Sequence, residues 1–234
     1  VAYAYKQSLI FILLLILSLP TAASAVSDLH AGLTAYRQRD YPKALKLLQP
    51  LAQAGVVEAQ RKLGVMYRHG LGVQKNDETA LHWYRQAAQQ GHPGAQNSLG
   101  IMYRFGLGVP RDPVQAHQWL QQAAQQNFTK AQENLGLLYM DGDGATQDDA
   151  KAVYWLGKAA EAGQVKSQLT LGLLILAGRG TAKNPHLAMQ WIEKAAAAGS
   201  IQAATAMARA YERGLYGRRV DSVQAQYWRQ RSNR

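Results

Sequence analysis

The side chains most suggestive of chemistry lie in an acidic run, Asp141-Gly142-Asp143-Gly144, followed by Asp148-Asp149. Carboxylates alternating with glycine are how a calcium loop begins. An EF-hand, however, needs an acid or amide at its fifth position and glycine at its sixth. Ala145 and Thr146 stand there instead. The six histidines (30, 69, 82, 92, 117 and 186) form no His-Glu-x-x-His pair for zinc. There is no Gly-x-Ser-x-Gly elbow, and no serine precedes a lysine by three positions. Serine hydrolase and penicillin-binding chemistry therefore lack their nucleophile setting. Cysteine is absent altogether, which removes disulfides, thiolate metal sites and thiol nucleophiles. The expectation is a non-enzymatic chain with no catalytic residue, no metal and no cofactor.

Charge is the other chemical resource. The 234 residues carry a formal net charge of +11, and seven arginines fall between positions 209 and 234 against only Glu212 and Asp221. Arg218, Arg219, Arg229 and Arg231 make a basic C-terminal patch suited to an anionic envelope polymer or a membrane surface. The plainer reading is a solvated polar end that keeps the last helix soluble. The first residues point to export. Lys6 precedes an apolar run from Leu9 to Leu19, Pro20 breaks it, and Ala23-Ser24-Ala25 offers small residues for a signal peptidase. The run is short of the ~20 residues a membrane span needs. Residues 1–25 are thus expected to be a cleavable signal peptide cut after Ala25, giving a periplasmic or secreted protein for which nucleic acid is not an expected partner.

What must position any functional group is a repeat. Trp83, Trp119, Trp155 and Trp191 are spaced by 36 residues, and so are Gly64, Gly100, Gly136 and Gly172. A fixed period in this range marks stacked units, none of which can bury its apolar face alone. In the first such row Ala59, Leu63 and Tyr67 share one helical face. Gly70-Leu71-Gly72 then stops the helix, because glycine accepts the left-handed backbone at a helix C-terminus. Asn76, Asp112, Asp148, Asn184 and Asp221 form a column of N-caps for a second helix. That helix carries Ala80, Trp83 and Ala87-Ala88 and ends at Gly91, with Asn127 replacing the glycine one row later. Bulk in the tryptophans against clearance at the glycines and alanines predicts that the indoles are core.

Both ends are edited. Asp40 keeps the register upstream, but Tyr36 lies only four residues before it, so the Gly-x-Gly loop is missing, and Pro50 should bend the helix that follows. Residues 26–55 are expected to form a tetratricopeptide-like capping hairpin, and 56–234 an array of about five units, the last atypical. The pattern Ala59, Leu63-Gly64, Tyr67, Gly70-Leu71-Gly72-Val73, Ala80, Trp83, Ala87-Ala88, Gly91 resembles the Sel-one-like repeat (SLR) family, a relative of the tetratricopeptide repeat. The resemblance implies an all-α, right-handed α-solenoid of antiparallel hairpins that acts as an adaptor between proteins in the bacterial cell envelope. It also supplies an enzyme alternative, since some exported, cysteine-rich members have been described as binding or hydrolysing β-lactams. This chain has none of those cysteines.

Solenoids present their first helices on a concave surface. On the outward arc of those helices, Val65, Ile101, Leu137 and Leu173 form an apolar line. It is flanked by columns that change from row to row: Arg61, Asn97 and Glu133 on one side, Arg68, Arg104 and Met140 on the other. Such a strip suits an extended peptide or a partner helix in a concave groove. The competing reading makes the apolar line core between neighbouring first helices.

Overall fold

The computed structural model describes residues 22–233. The charged start, apolar run and Pro20 of the expected signal segment lie outside the described residues, whereas Ala23-Ser24-Ala25 falls in the first turn of a helix. All regular structure among the described residues is helical. The helices are α1 (Ala22–Arg37), α2 (Tyr41–Gln53), α3 (Val57–His69), α4 (Asp77–Gln89), α5 (Pro93–Phe105), α6 (Pro113–Gln125), α7 (Thr129–Asp141), α8 (Asp149–Glu161), α9 (Val165–Ala177), α10 (Pro185–Ala197), α11 (Ile201–Arg213) and α12 (Ser222–Ser232). They form two compact units, one ending at Gln90 with α1–α4, the other starting at Gly91 with α5–α12. Within each unit, every helix packs chiefly on its sequence neighbours, inside a hairpin and from one hairpin to the next.

The expected punctuation accounts for the boundaries. Each second helix after the first begins where a cap side chain accepts the amide three residues on: Asn76 from Thr79, Asp112 from Gln115, Asp148 from Lys151, Asn184 from Leu187 and Asp221 from Gln224, at 2.8–3.0 Å. First helices end on Gly70, Gly106, Gly142, Gly178 and Gly214, all left-handed. Asn127 takes the same backbone region, φ 61°, in place of a glycine. The first hairpin lacks the long loop. It turns through Gln38 to Asp40 with Arg39 at φ 63°, and α2 runs through Pro50 to Gln53.

The core departs from the tryptophan expectation. Trp83, Trp119, Trp155 and Trp191 are only half-buried; Trp228 alone of the five is buried. The bulk that meets the glycine clearance is the next residue. In the second unit Leu120, Leu156 and Ile192 are fully buried, and a Cβ on Gly100, Gly136 or Gly172 would lie 2.7 Å from one of them. In the first unit Tyr84 fills the same role against Gly64. One residue is about 100° of helix, so the indole is turned to the hairpin's edge, where it covers the margin of the cluster around Leu138 and Leu156 (Trp155) or Leu171 and Ile175 (Trp191).

Glycine in a helix is useful only where a neighbour needs the space. Gly157, in α8, has nothing within 4 Å of the position a Cβ would take. Gly157→Ala should therefore raise stability by ~1 kcal/mol, the ordinary helix-propensity gain, read as a shift in urea midpoint at unchanged slope.

Candidate partner-binding surface

Before asking what a partner could touch, the polar groups already committed to stacking must be removed. The repeated glutamine of the first helix is one. Gln60, Gln96, Gln132 and Gln168 are all buried. The Gln60 amide donates to the Ala52 carbonyl (3.2 Å) and to Gln86 Oε1 (3.0 Å), while Gln90 donates to Gln60 Oε1 at 2.8 Å. In the second unit Gln126 and Gln122 hold Gln96 in the same way. Gln168 donates to the Ala160 carbonyl of the preceding second helix at 3.1 Å. Around Gln60 and Gln96 the amides satisfy one another away from water, which is the condition for burying them; Gln168 keeps a buried Oε1 without a partner.

The column expected at 61, 97 and 133 divides. Arg61, in the first unit, is half-buried and doubly hydrogen-bonded to Glu58, whose carboxylate raises its pKa. Asn97 and Glu133 are buried rather than open. Asn97 accepts from the Asn134 amide (2.9 Å), and Glu133 accepts from Gln164 (2.7 Å) with Lys166 nearby. Both belong to the seam between successive hairpins, because the column faces the neighbouring row rather than solvent.

The column at 68, 104 and 140 is also partly structural. Arg68 is half-buried, and Met140 packs on the cluster around Leu138. Arg104 bridges Asp141 (3.0 Å) and Asp143 (3.1 Å), and Arg111 reaches the other oxygen of Asp143. The run that looked like the start of a calcium loop is thus an acidic clasp closed by arginines of the preceding hairpin. No cluster of metal-binding side chains occurs among the described residues. Arg104 and Asp143 are less than one-fifth exposed, so the pair is worth more than a surface bridge. Arg104→Ala should cost about 1–3 kcal/mol, and a double-mutant cycle with Asp143→Asn should recover a coupling of ~0.5–3 kcal/mol; a coupling of zero would make the clasp decorative.

The apolar line lies nearer the surface. Val65, Ile101 and Leu137 are half-buried, and Leu173 is 49% exposed. Beyond Leu173 the second unit has a feature that the sequence reading missed. Between α9 and α11, over a floor of Met189 and Ile192, lies a cavity of about 270 Å³ walled by Leu173, Leu176, Ala206 and Leu215. Arg209, Arg213 and Tyr216 also line it, and all three are exposed. The signal was present, since Ala206 and Arg209 are the residues at which two 36-residue columns change character. The basic C-terminal patch is partly neutralised: Arg218 holds Glu193 at 2.7 Å and Arg229 is paired with Glu212, whereas Arg231 donates to the uncharged Tyr227 hydroxyl at 2.6 Å and keeps its charge. Arg219 is exposed.

One titrating group sits in the seam of the second unit. His117 Nε2 is 3.0 Å from the buried Tyr139 hydroxyl, and Lys151 stands over the Tyr139 ring. Burial, then the Lys151 charge, lowers the His117 pKa below its ordinary 6.5. The unfolded chain then binds the proton more readily, so the linked stability is present above pH 6.5 and is lost as pH falls below it. Thermal melts from pH 8 to 5 should show this loss, and His117→Gln should flatten the profile.

The whole of this architecture has relatives. The Sel1 repeat family matches residues 22–56, 57–92, 93–128, 129–164, 165–200 and 201–232. The first, short hairpin is therefore matched as a repeat like the others. A Sel1 repeat protein from Oxalobacter formigenes, solved as a crystal structure, is 33% identical over 88% of this chain and 84% of its own, with a TM-score of 0.81. The protective antigen c5321 of uropathogenic Escherichia coli, described as displaying an SLR fold, is 33% identical over 89% of this chain with a TM-score of 0.85. This chain spans 45% of that longer one. An immunity protein from Pseudomonas aeruginosa, 18% identical over 87% of this chain and 80% of its own with a TM-score of 0.56, shares the fold alone. No curated protein matches the chain. The fold class is an all-α solenoid of helical hairpins. With six matched repeats from residue 22 to 232 and a solved relative of one-third identity, the chain belongs to the Sel1 repeat family.

Proposed function

We propose that this protein is a scaffold that holds another protein on the surface formed by its first helices, on the outer side of a bacterial inner membrane. Sel1 repeat proteins are in general non-catalytic scaffolds for protein–protein contacts. The observation that carries the finer reading is the apolar line itself. Asn97, Glu133 and Arg104 of the flanking columns are consumed by the seam, yet Leu173 stays half exposed and Ile101 and Leu137 stay short of full burial. Single exposed apolar residues need no explanation, whereas a line of them beside a cavity favours a partner. Export rests on the order of charge, apolar run, break and small residues in 1–25.

The test is Ile101→Ser with Leu137→Ser. The double variant should keep its far-UV circular dichroism and lose no more than ~2 kcal/mol of stability, because each side chain gives up only part of its burial. It should also lose the partner that co-purifies with the wild type from the periplasmic fraction. Unfolding of the variant would assign the line to the core, and a wild-type protein confined to the cytoplasm would remove the envelope reading.

A further inference from the structure

The cavity beside Leu173 differs from the rest of the strip in shape and charge. Its column explains the shape. Lys62, Ser98, Asn134 and Thr170 recur at 36-residue spacing, and Ala206 ends the series with the smallest side chain. The missing atoms widen a cavity of about 270 Å³ above Met189 and Ile192. That is below the ~300–1,000 Å³ of a small-molecule site and suits one large apolar side chain.

The charge is set by two other columns. Val65, Ile101, Leu137 and Leu173 are followed by Arg209, and His69, Phe105, Asp141 and Ala177 by Arg213. The two arginines lie four apart on α11, hence on one helical face, where like charges oppose each other by ~0.2–0.5 kcal/mol. Arg213, in the last turn, has a helix-dipole reason to be there; Arg209, a turn earlier, does not. Neither is in an ion pair among the described residues. The carboxylates that α9–α11 supply are Glu193 and Glu212, held by Arg218 and Arg229, and Asp221 caps α12. An apolar hole with two uncompensated guanidinium groups at its mouth is complementary to an apolar anchor flanked by carboxylates, which guanidinium groups bind in paired geometry.

Resting on the scaffold reading, we infer that the cavity walled by Leu173, Leu176 and Ala206 takes the anchor of an acidic peptide segment of the partner, a large apolar side chain between Asp or Glu residues that meet Arg209 and Arg213. The anchor fixes position, and the charges speed encounter and select the segment.

The probe is a fluorescein-labelled peptide with one phenylalanine between four glutamates on each side, titrated by anisotropy into the full chain. The wild type should bind it about tenfold or more tighter than versions flanked by glutamine or lysine. Arg209→Gln with Arg213→Gln should abolish that preference, since it removes the charge and leaves the hole. Ala206→Leu should abolish the advantage of phenylalanine over alanine at the centre of the peptide. Ala206→Val provides the same reading should the leucine variant fail to melt cooperatively. Equal binding of the lysine-flanked peptide, or no binding of the glutamate peptide, overturns the inference. So does competition by phosphatidylglycerol vesicles that is insensitive to Ala206→Leu, which would make the arginines a membrane contact. Partner crosslinks from position 173 separate the two levels. If they persist without peptide binding, only the pocket chemistry falls. If both are absent, the scaffold reading falls as well.

Discussion

Gly144→Ala is expected to destabilise the protein by about 2–5 kcal/mol, an unusually large effect for one methyl group. Gly144 is the second glycine of its Gly-x-Gly loop. It sits at φ +84°, and a Cβ there would lie 1.9 Å from the Pro113 carbonyl oxygen. The loop is therefore laid directly on the first turn of the preceding second helix. Gly180 meets Asp149 O at 2.0 Å in the same way, and in the first unit Gly72 meets Tyr41. The obstacle is backbone, so no rotamer change relieves it. The control is Gly163→Ala: Gly163 is also left-handed, at φ +86°, but nothing lies within 4 Å. It should lose only the ~1–2 kcal/mol of left-handed strain. Urea unfolding of both variants followed by circular dichroism reads the difference. Equal losses would mean that loop docking contributes nothing.

Leu156→Ala should cost about 2–5 kcal/mol through the cavity it leaves. Leu156 is fully buried among Leu120, Leu135 and Leu138, with its Cγ against Gly136. Gly136→Ala alone should also destabilise despite its helix-propensity gain, because its methyl would fall 2.7 Å from that Cγ. Combined, the two changes should be less damaging than their sum, since the new methyl occupies space the leucine vacated. Neighbours in contact couple by ~0.5–3 kcal/mol. Additive losses would show that the pair does not share one volume, and the hairpin packing described above would need revision.

Much of the hairpin was legible in the sequence. The caps at Asp112, Asp148 and Asn184 and the stops at Gly106, Gly142 and Gly178 depend on local backbone chemistry that recurs in register. The core was legible only to within one residue. Trp155 is the more conspicuous letter, yet Leu156 fills the core, and a 100° difference in helical phase is easily lost when size alone is weighed. The binding strip was less legible still. Asn97, Glu133 and Arg104 vary from row to row, as partner-facing residues do, but each is held by a hydrogen bond across the seam, to Asn134, Gln164 and Asp143 respectively. Variation along a repeat therefore marks seams as well as surfaces, and the two separate only when each polar atom is traced to its partner. The cavity at Ala206 was written in the columns as a loss of side-chain atoms, which is harder to notice than a gain.

The central claim is that a partner lies on the first-helix strip near Leu173. It is tested most directly by placing a photo-crosslinking amino acid at position 173 and, as control, at Tyr154, which is comparably exposed on a second helix. Irradiation in living cells should give one discrete higher-mass adduct from position 173 that contains a second polypeptide, and none from 154. Adducts from 154 with none from 173 would contradict the claim and move the partner to the second helices.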